Sequence, residues 1–408
     1  MKKLRSIKTY IVGRLHPHSY LSPELITLLT VHMIFLLGVG LSNTFVNVFL
    51  WKVQKSLSIV ALYNAVQYFT LIAVVILGGW IAKKISLTFN LRLGIMCHAI
   101  FFIVLLVVKD QAAQYAWILG LLMGLSSGLY YLSYNVLSYD FSSNDNRDYV
   151  MGVQGIVFSF TTAVAPFMAG IMIESFKKIN GYIIVFSISF TLFMIAAVLS
   201  TRIPIKTAQK NYYIKSILFM PFRRKDWKYA MIGEAIRGLR DGVMIFLPGI
   251  LLYSLVSRES LIGYYTLFCS SVQLLSYYFI SKRITPGTRK NFLLVGVLAI
   301  VIISPLFMFS LNAYTLFVYG LVTSFFVAWV NNPTAGMIYW VIHKTPNSKK
   351  RRIEGIVVRE AYLNMGRTLG VLILLALPED IKTIAYIVFG LGLSQIMIWM
   401  FFNRINMA

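Results

Sequence analysis

The sequence has few acidic residues and very few cysteines. Its 408 residues include 14 Asp or Glu against 38 Lys or Arg, and charged residues make up only 13% of the chain. The two cysteines, Cys97 and Cys269, both lie in apolar runs, so they indicate neither a disulfide framework nor a metal site. The sequence also lacks a phosphate-cradling glycine loop, and no His, Cys and carboxylate residues have the ligand spacing of zinc or iron. We therefore expect no cofactor, no ATP-driven pump and no enzyme.

Long apolar runs are abundant. Apolar residues make up 58% of the chain, and runs of about 20 residues, long enough to cross a bilayer as a helix, recur from Leu25 to Met400. These runs are continuous and about twice as long as a membrane β-strand, which argues against a barrel. The predicted fold is an all-α membrane protein with twelve transmembrane helices. Their predicted bounds are 25–50, 58–82, 90–108, 114–138, 149–174, 181–201, 229–255, 260–281, 291–310, 313–342, 354–376 and 382–402.

Basic residues are distributed unevenly between the loops. Most of them fall in the N-terminal tail and in the loops that follow even-numbered helices, which predicts a multi-pass protein of the cell membrane with both termini in the cytoplasm. The tail lacks a small-residue cleavage site, so we expect it to be retained. This topology and attraction to anionic inner-leaflet lipids explain the net charge of +24, and we expect no nucleic-acid partner.

The longest polar break divides the helices into two groups of six. We predict an N-terminal tail at 1–24, a six-helix bundle at 25–201, a basic linker at 202–228, a second bundle at 229–402 and a C-terminal tail at 403–408. Within the linker, residues 212–222 are expected to lie flat on the membrane as an interfacial helix. The halves also match each other, since Gly38 corresponds to Gly238 and Gly120 to Gly320. Pseudo-symmetric repeats of six helices are typical of secondary transporters, whose bundles rock around a site in mid-membrane.

The segment after the second helix reads Gly79-Trp80-Ile81-Ala82-Lys83-Lys84. Together with the six-plus-six topology and the basic linker, it resembles the major facilitator superfamily over nearly the full length. That family's loop motif has Gly, two residues, a small residue, Asp and a basic residue, and the resemblance implies a gating role for Gly79, Lys83 and Lys84. Lys83 stands where the family has Asp. The stretch from Tyr134 to Asp140, followed by Asn146-Arg147-Asp148, is similar to uncharacterised transporters of Gram-positive bacteria.

The resemblance implies a central cavity lined mainly by helices 1, 4, 7 and 10, with helices 2, 5, 8 and 11 at the seam between the bundles. The polar residues that helices 1, 2 and 4 bring to it are uncharged, so this wall offers hydrogen bonds and aromatic faces. An alternative for each residue is a hydrogen bond between helices. The predicted substrate-binding residues are Asn43, Asn47, Asn64, Gln67, Tyr130, Tyr131, Tyr134, Asn135, Asn331 and Asn332.

Ionised residues are concentrated in helices 7 and 11. Their spacing places Glu234, Arg237 and Asp241 on one face of helix 7. Matched depths along the two helices predict that Arg367 comes within salt-bridge reach of Asp241, and Glu360 near Arg237, in at least one state. Charges at this depth are normally kept for function, so we predict that these five residues couple transport to protons. The alternatives are a static ion-pair ladder and arginines that bind an anionic substrate.

Prolines are predicted to modify three helices. Asn331-Asn332-Pro333 should interrupt helix 10 at cavity depth, which indicates a binding site or a gate at Pro333, with a packing kink as the alternative. Pro166 and Pro248 are interpreted as further hinge points. His32 in helix 1 is interpreted as a satisfied polar group rather than a proton relay.

These features together predict a monomeric secondary transporter that moves a small organic solute by alternating access with proton coupling. The sequence names neither the solute nor the direction of transport. A lipid or glycolipid translocase is the alternative, suggested by the basic cytoplasmic face and the aromatic, uncharged wall. A receptor or scaffold that kept the fold is the third possibility. A sideways opening between helices 5 and 8, or 2 and 11, would indicate a lipid substrate.

Overall fold

A computed structural model describes residues 21–142, 147–176, 180–205, 211–281 and 283–407. Most of the predicted N-terminal tail, residues 206–210 of the linker and Asn146 lie outside the described residues. Twelve long helical segments, α1 to α12, follow the predicted spans closely. They are α1 Pro23–Gln54, α2 Leu57–Lys84, α3 Leu87–Val108, α4 Ala116–Phe141, α5 Arg147–Ser175, α6 Asn180–Ser200, α7 Lys225–Met244 continued by Leu247–Val256, α8 Glu259–Ser281, α9 Arg289–Ile303 continued by Leu306–Phe309, α10 Ala313–His343, α11 Ser348–Ala376 and α12 Ile381–Ser394 continued by Ile396–Asn403.

The described helices have the length and composition of membrane spans. Ten of them are both long and apolar enough to cross a membrane. The other two, α8 and α11, have 23 and 29 residues and carry more polar side chains. α11 begins six residues before its predicted start, because its first residues are mostly polar and basic and gave no apolar signal. The chain is therefore an all-α, multi-pass membrane protein.

The helices form two bundles with the same internal arrangement. In the first bundle α1 packs on α5 and α6, α4 on α2 and α3, and α3 on α6. In the second, α7 packs on α11 and α12, α10 on α8 and α9, and α9 on α12. Each main contact of the first bundle thus recurs six helices later, as the sequence repeat predicts. The bundles meet at two seams, α2 against α11 and α5 against α8, which confirms the placement of these four helices.

Glycines allow the closest of these contacts. Four of them lie where α7 crosses α11, and a Cβ atom at any one would collide with the backbone of the facing helix. Small residues four apart let helix backbones approach in a membrane, where there is no hydrophobic drive for association. Gly170 and Gly263 have the same function at the seam between α5 and α8. The four glycines of the crossing are Gly238 and Gly242 of α7 and Gly366 and Gly370 of α11.

Proline has different effects in α7 and α10. The first part of α7 ends at Met244, and the helix resumes at Leu247 with Pro248 in its first turn, which confirms a break at this position. The predicted interruption of helix 10 is wrong, because α10 continues through Pro333 to its end. Proline removes only the one backbone N–H that would bond the carbonyl of Trp329, and the helix is otherwise continuous on both sides. Pro166 likewise lies inside a continuous α5.

Two ends of the molecule are needed to describe the site. We call the end where α1 begins, at Pro23, the near end, and the end where α1 finishes, at Gln54, the far end. The described part of the linker lies at the near end. It forms two short helices, Ile214–Leu218 and Met220–Arg223, instead of one continuous helix over 212–222.

Candidate functional site

Glu234 of α7 is a fully buried carboxylate that two arginines neutralise. Arg237 holds it with a two-pronged contact, in which Nε and Nη2 donate to the two carboxylate oxygens at 3.0 and 2.8 Å. Arg359 of α11 donates from Nε to Glu234 Oε2 at 3.1 Å. Charge-assisted contacts of this kind are short and strong. Glu234 therefore joins α7 to α11 through an ion pair, next to the glycine crossing.

Asp241 lies further along α7 and is more accessible. Arg237 Nη1 lies 3.5 Å from Asp241 Oδ2, and 17% of the Asp241 side chain is exposed. The same Nη1 donates to Asn331 Oδ1 of α10 at 2.9 Å. Arg237 is therefore held by Glu234 and Asn331 whether or not Asp241 is ionised.

Arg367 of α11 faces the first bundle across the seam. Its Nη1 donates to Asn364 Oδ1 at 3.2 Å, and its guanidinium lies 5.6 Å from the centre of the Tyr68 ring of α2. Its buried Nε has no hydrogen-bond partner among the described residues. The predicted pair of Arg367 with Asp241 is not among the ion pairs of the described residues, because Asp241 binds Arg237 of its own helix.

Glu360 also pairs within its own helix. Arg359 Nη1 donates to Glu360 Oε1 at 2.9 Å, so the predicted approach of Glu360 to Arg237 is replaced by a contact with its sequence neighbour. Arg359 is absent from the set predicted from the sequence, although this arginine bridges Glu360 to Glu234. The usable signal was its position next to Glu360 on a helix that contacts α7.

The remaining residues of α7 and α10 lie around this cluster. Arg240, the neighbour of Asp241 along α7, donates to the Tyr319 hydroxyl of α10 at 3.2 Å. Of the polar pair in α10, Asn331 contacts the cluster and Asn332 is half-buried. Pro333 is buried within the continuous helix.

Two of the predicted substrate-binding amides bind each other instead. Asn64 of α2 donates from Nδ2 to Asn47 Oδ1 of α1 at 2.7 Å, and Asn47 donates to the carbonyl of Asn43 at 3.0 Å. Both amides are buried, so this structure favours a hydrogen bond between helices over a contact with substrate.

Tyr130 and Tyr134 point into the first bundle rather than toward a cavity. The Tyr134 ring stacks on His32 of α1 with centroids 3.6 Å apart, and Tyr130 stacks on Phe35 at 3.5 Å. The Tyr130 hydroxyl lies 2.9 Å from His32 Nδ1, which confirms His32 as a satisfied polar group. The exposed fractions of the two tyrosines are 0% and 5%, so neither is accessible in this structure.

The next position along α4 faces the other way. Tyr131 is half-buried and Asn135 is exposed, because one residue along a helix turns the side chain by more than a quarter of a circle. The accessible members of the predicted uncharged wall are therefore Tyr131, Asn135, Asn43 and Gln67.

A buried ion pair joins the bundles at the near end. Lys83 Nζ of α2 lies 2.6 Å from Glu354 Oε1 of α11, and both side chains are buried. Lys83 also donates to the carbonyl of Asn211 at 2.8 Å, and the backbone N–H of Tyr213 donates to Glu354 at 2.8 Å. The lysine that stands at the Asp position of the resembled motif thus forms a contact between the bundles, with a base on α2 and an acid on α11.

Further contacts surround this pair. Arg352 of α11 forms an ion pair with Asp140 at the end of α4. Gly79 leaves room for the linker, since a Cβ atom there would lie 2.6 Å from the Tyr212 hydroxyl oxygen. Lys84 is exposed, so the structure gives contacts to two of the three predicted gating residues of this loop.

A second cluster closes the far end. Glu259 at the start of α8 accepts hydrogen bonds on Oε1 from Lys52 at 2.8 Å and from the Tyr182 and Tyr253 hydroxyls at 3.1 Å each. Lys52 and Tyr182 belong to the first bundle, whereas Tyr253 and Glu259 belong to the second. The bundles are therefore joined at both ends, with the charge cluster of α7 and α11 between them. Glu259 was not predicted from the sequence, where its signal was its position as a rare acid at the end of an apolar run.

Two groups of the central cluster are free to exchange partners. Asp241 can lose its single arginine contact without leaving that arginine unpaired, and Arg367 has no carboxylate within salt-bridge distance among the described residues. Such groups can hold a proton and an anion respectively. No three His, Cys, Asp or Glu side chains in the described ranges gather as they would around a metal ion.

Sequence comparison gives one family and two relatives. The family model of the Major Facilitator Superfamily matches residues 28–357. The "Uncharacterized protein YqgE" of Bacillus subtilis (strain 168) is 31% identical over 373 residues, which cover 90% of this chain and 87% of that protein. The "Uncharacterized protein in sodM 3'region" of Geobacillus stearothermophilus is 38% identical over 163 residues, 40% of this chain and 76% of that protein.

Solved structures with the same fold include several transporters. The human organic anion transporter MFSD10 matches with a TM-score of 0.70 and 13% identity, over 93% of this chain and 100% of that one. The nucleoside transporter NupG matches with a TM-score of 0.68 and 13% identity, over 94% and 100%. A bacterial homologue of the iron transporter ferroportin, in its outward-facing state, matches with 0.67 and 13%, over 94% and 99%. At these identities the likeness shows the fold alone.

Proposed function

Because the chain belongs to the Major Facilitator Superfamily, we propose that it moves a small organic solute across the cell membrane by alternating access, driven by protons. The two bundles, joined by ion pairs at both ends with ionised groups between them, support a rocking motion around a site in mid-membrane. The excess of basic residues in the N-terminal tail and even-numbered loops supports a near end that faces the cytoplasm.

One observation carries the proton-coupling part: Asp241 is an accessible carboxylate whose arginine has other partners. Arg237 keeps its contacts with Glu234 and Asn331 when Asp241 takes up a proton. Neutralising Asp241 therefore leaves Arg237 paired, whereas losing half of a buried ion pair usually strands the remaining charge. Glu234 has no such freedom, because two arginines depend on it. We assign Asp241 the role of proton carrier.

Protonation of Asp241 changes the charge presented to the solute site. In the proposed cycle, the predicted approach of Arg367 to Asp241 belongs to another state, in which the arginine favours release of the proton. Glu360 and Arg359 complete the charge set around them. The near-end pair Lys83–Glu354 opens in one half of the cycle and the far-end cluster of Glu259 in the other.

A second candidate is transport of an organic anion without a proton, with Arg367 as its anchor. Arg367 has a buried donor without a partner among the described residues, and it lies beside the aromatic residues Tyr68 and Tyr131. A planar guanidinium fork suits a carboxylate or a phosphate. Arg367→Lys keeps the charge but loses the fork, so we expect it to weaken binding of anionic solutes more than that of neutral ones.

A lipid translocase and a non-transporting scaffold have less support. A lipid translocase needs a sideways opening, and both seams are packed among the described residues, with Gly170 and Gly263 in backbone contact between α5 and α8. The scaffold hypothesis rests on Lys83, which stands where the resembled family has Asp. The ion pair of Lys83 with Glu354 supports a contact between the bundles at this position.

The proposal is tested with purified protein in two steps. A thermal-shift screen over small neutral, cationic and anionic solutes finds a ligand, because a binder raises the melting temperature with its occupancy. Proteoliposomes are then tested for accumulation of that solute under an imposed pH gradient, with a protonophore as control. Accumulation that the protonophore abolishes supports proton coupling. Uptake of an anion that follows only its own concentration gradient and does not respond to the pH gradient supports the second candidate instead.

A further inference from the structure

A carboxylate from the second bundle caps the first turn of α2 at the far end. Ser56 stands at the N-cap of α2 but makes no side-chain cap hydrogen bond. Glu379, in the segment between α11 and α12, takes its place. It accepts hydrogen bonds from the backbone N–H groups of Leu57 and Ser58, at 2.8 and 2.7 Å, and from the Ser58 hydroxyl.

The pseudo-symmetric position carries the same arrangement with the bundles exchanged. Glu174, at the end of α5 in the first bundle, accepts the backbone N–H of Ser260 in the first turn of α8 at 3.0 Å. Its other oxygen accepts from Arg258 Nε at 3.1 Å. In the repeat, α8 corresponds to α2 and α5 corresponds to α11. At the far end of each seam, a glutamate of one bundle therefore accepts hydrogen bonds from the N-terminus of a helix in the other bundle.

Both contacts have the same physical basis. The first N–H groups of a helix have no partner within it, and the helix dipole adds partial positive charge there, so a carboxylate is well placed. Although partial burial raises it, the hydrogen bonds from Ser58 and the α2 backbone lower the pKa of Glu379, which keeps the carboxylate charged at neutral pH. These bonds exist only while the bundles touch at the far end.

We propose that Glu174 and Glu379 are a symmetric pair of far-end latches, which hold this side closed and release together when the bundles rock apart. Both side chains reach solvent, so water can replace the lost partners on opening, and the latch stays reversible. Neither residue belongs to the charge cluster or to the Glu259 cluster. The inference rests on the alternating motion of the proposed function, but not on its solute or its coupling ion.

The test measures the width of the far end directly. Spin labels are placed on Gln114→Cys, between α3 and α4, and Ser310→Cys, between α9 and α10, after both native cysteines are replaced by Ala. Both label sites are exposed and belong to different bundles. Distances between the labels are measured in nanodiscs by double electron–electron resonance, without any solute.

We expect Glu174→Gln and Glu379→Gln each to shift the populations toward the longer distance, roughly fivefold per lost cap, and the double variant to shift them further. Asp380→Asn is the matched control. Asp380 lies beside Glu379 and loses the same charge, but it caps α12 of its own bundle through the backbone N–H of Thr383 at 3.0 Å. It should leave the distances unchanged.

Two results would overturn the latch. One is a distance distribution that neither single variant nor the double variant moves. The other is a shift in Asp380→Asn as large as that in Glu379→Gln, which would assign the effect to general surface charge. The single variants keep one latch each, so they give the answer if the double variant does not fold. The distance measurement uses no solute, so its result does not depend on whether the protein transports a solute with protons.

Discussion

The carboxylates of the central cluster differ in how many arginines each one faces. Glu234 faces two and is fully buried, whereas Asp241 faces one at 3.5 Å and Glu360 faces one at 2.9 Å. Removing a partner from a buried ion pair is costly because the remaining charge stays in a medium that solvates it poorly. The three acids should therefore respond differently to the same neutralising substitution.

Glu234→Gln is expected to lower the free energy of unfolding by roughly 3 kcal/mol, because it leaves Arg237 and Arg359 without their shared carboxylate. Glu360→Gln is the matched control. Its side chain is 19% exposed and faces only Arg359, which still has Glu234. Thermal unfolding of the detergent-solubilised variants measures the difference. Equal melting temperatures for the two variants would show that the pairing of Glu234 does not hold α7 to α11.

Sequence predicted contacts along one helix better than contacts between helices. The spacing of Glu234, Arg237 and Asp241 placed them on one face, and the structure pairs all three. The partners on α11 were assigned by matched depth alone, which cannot distinguish Arg359 from its neighbour Glu360. Which of these two side chains turns toward Glu234 depends on the rotation of α11 about its axis, and packing sets that rotation.

At the scale of whole helices, the crossing of α7 and α11 depends on glycine. The facing backbones approach so closely that a Cβ atom at Gly238, Gly242, Gly366 or Gly370 would overlap carbonyl oxygens. The sequence contains both glycine pairs at the spacing of four, but neither was used to predict the crossing. The signal was available, since this spacing is a known mode of helix association in membranes.

Gly366→Ala is expected to lower the free energy of unfolding by roughly 3 kcal/mol, because its methyl group would overlap the backbone of Ala235. Gly390→Ala in α12 is the control, since a Cβ atom there meets no atom within 4 Å. It should leave stability unchanged or raise it by about 1 kcal/mol through helix propensity. Melting temperatures of the two purified variants check this. A Gly366→Ala variant as stable as Gly390→Ala would contradict the close crossing.

The helix breaks show that a proline in the sequence does not by itself predict a break in the helix. Pro248 coincides with a break and Pro333 does not, although both prolines lie in long apolar runs. Inside a helix proline removes one hydrogen bond, as at Pro333, whereas in the first turn, where Pro248 lies, its missing N–H costs no helical bond. α10 continues through Pro333, which removes the helical donor of one group, the carbonyl of Trp329.

At the scale of the whole molecule, the near end is held by the buried ion pair of Lys83 with Glu354. Lys83→Glu should place two carboxylates together and lower the free energy of unfolding by roughly 3 kcal/mol. Glu354→Lys should place two lysines together and lower it by roughly the same amount. The double swap should recover part of this loss. It cannot recover all of it, because the backbone bonds to Asn211 and Tyr213 are lost.

Thermal unfolding of the two single variants and the double variant gives the coupling between the residues. Lys84→Glu is the control, since Lys84 is the next residue along α2 but its side chain is exposed, so stability should respond little. If the loss of unfolding free energy in the double variant equals the sum of the two single losses, Lys83 and Glu354 do not interact across the bundles.

The overall architecture was predictable because it depends on many residues at once. Apolar run lengths gave twelve helices, and the matching halves gave two bundles, both of which the structure shows. The candidate site was less predictable, because single side chains point in or out by one helical position. Tyr130 and Tyr134 turn into the first bundle, while Tyr131 and Asn135 remain accessible.

Proton coupling through Asp241 is tested most directly by the variant Asp241→Asn in proteoliposomes. The amide imitates the protonated side chain at nearly the same volume, so solute binding and exchange of solute for solute should continue at a rate close to the parent's. Accumulation driven only by a pH gradient should be abolished. Asp226→Asn, in the first turn of the same helix, is the control and should accumulate normally. Uphill accumulation by Asp241→Asn at the parent's rate would contradict the account and make Asp241 a structural residue.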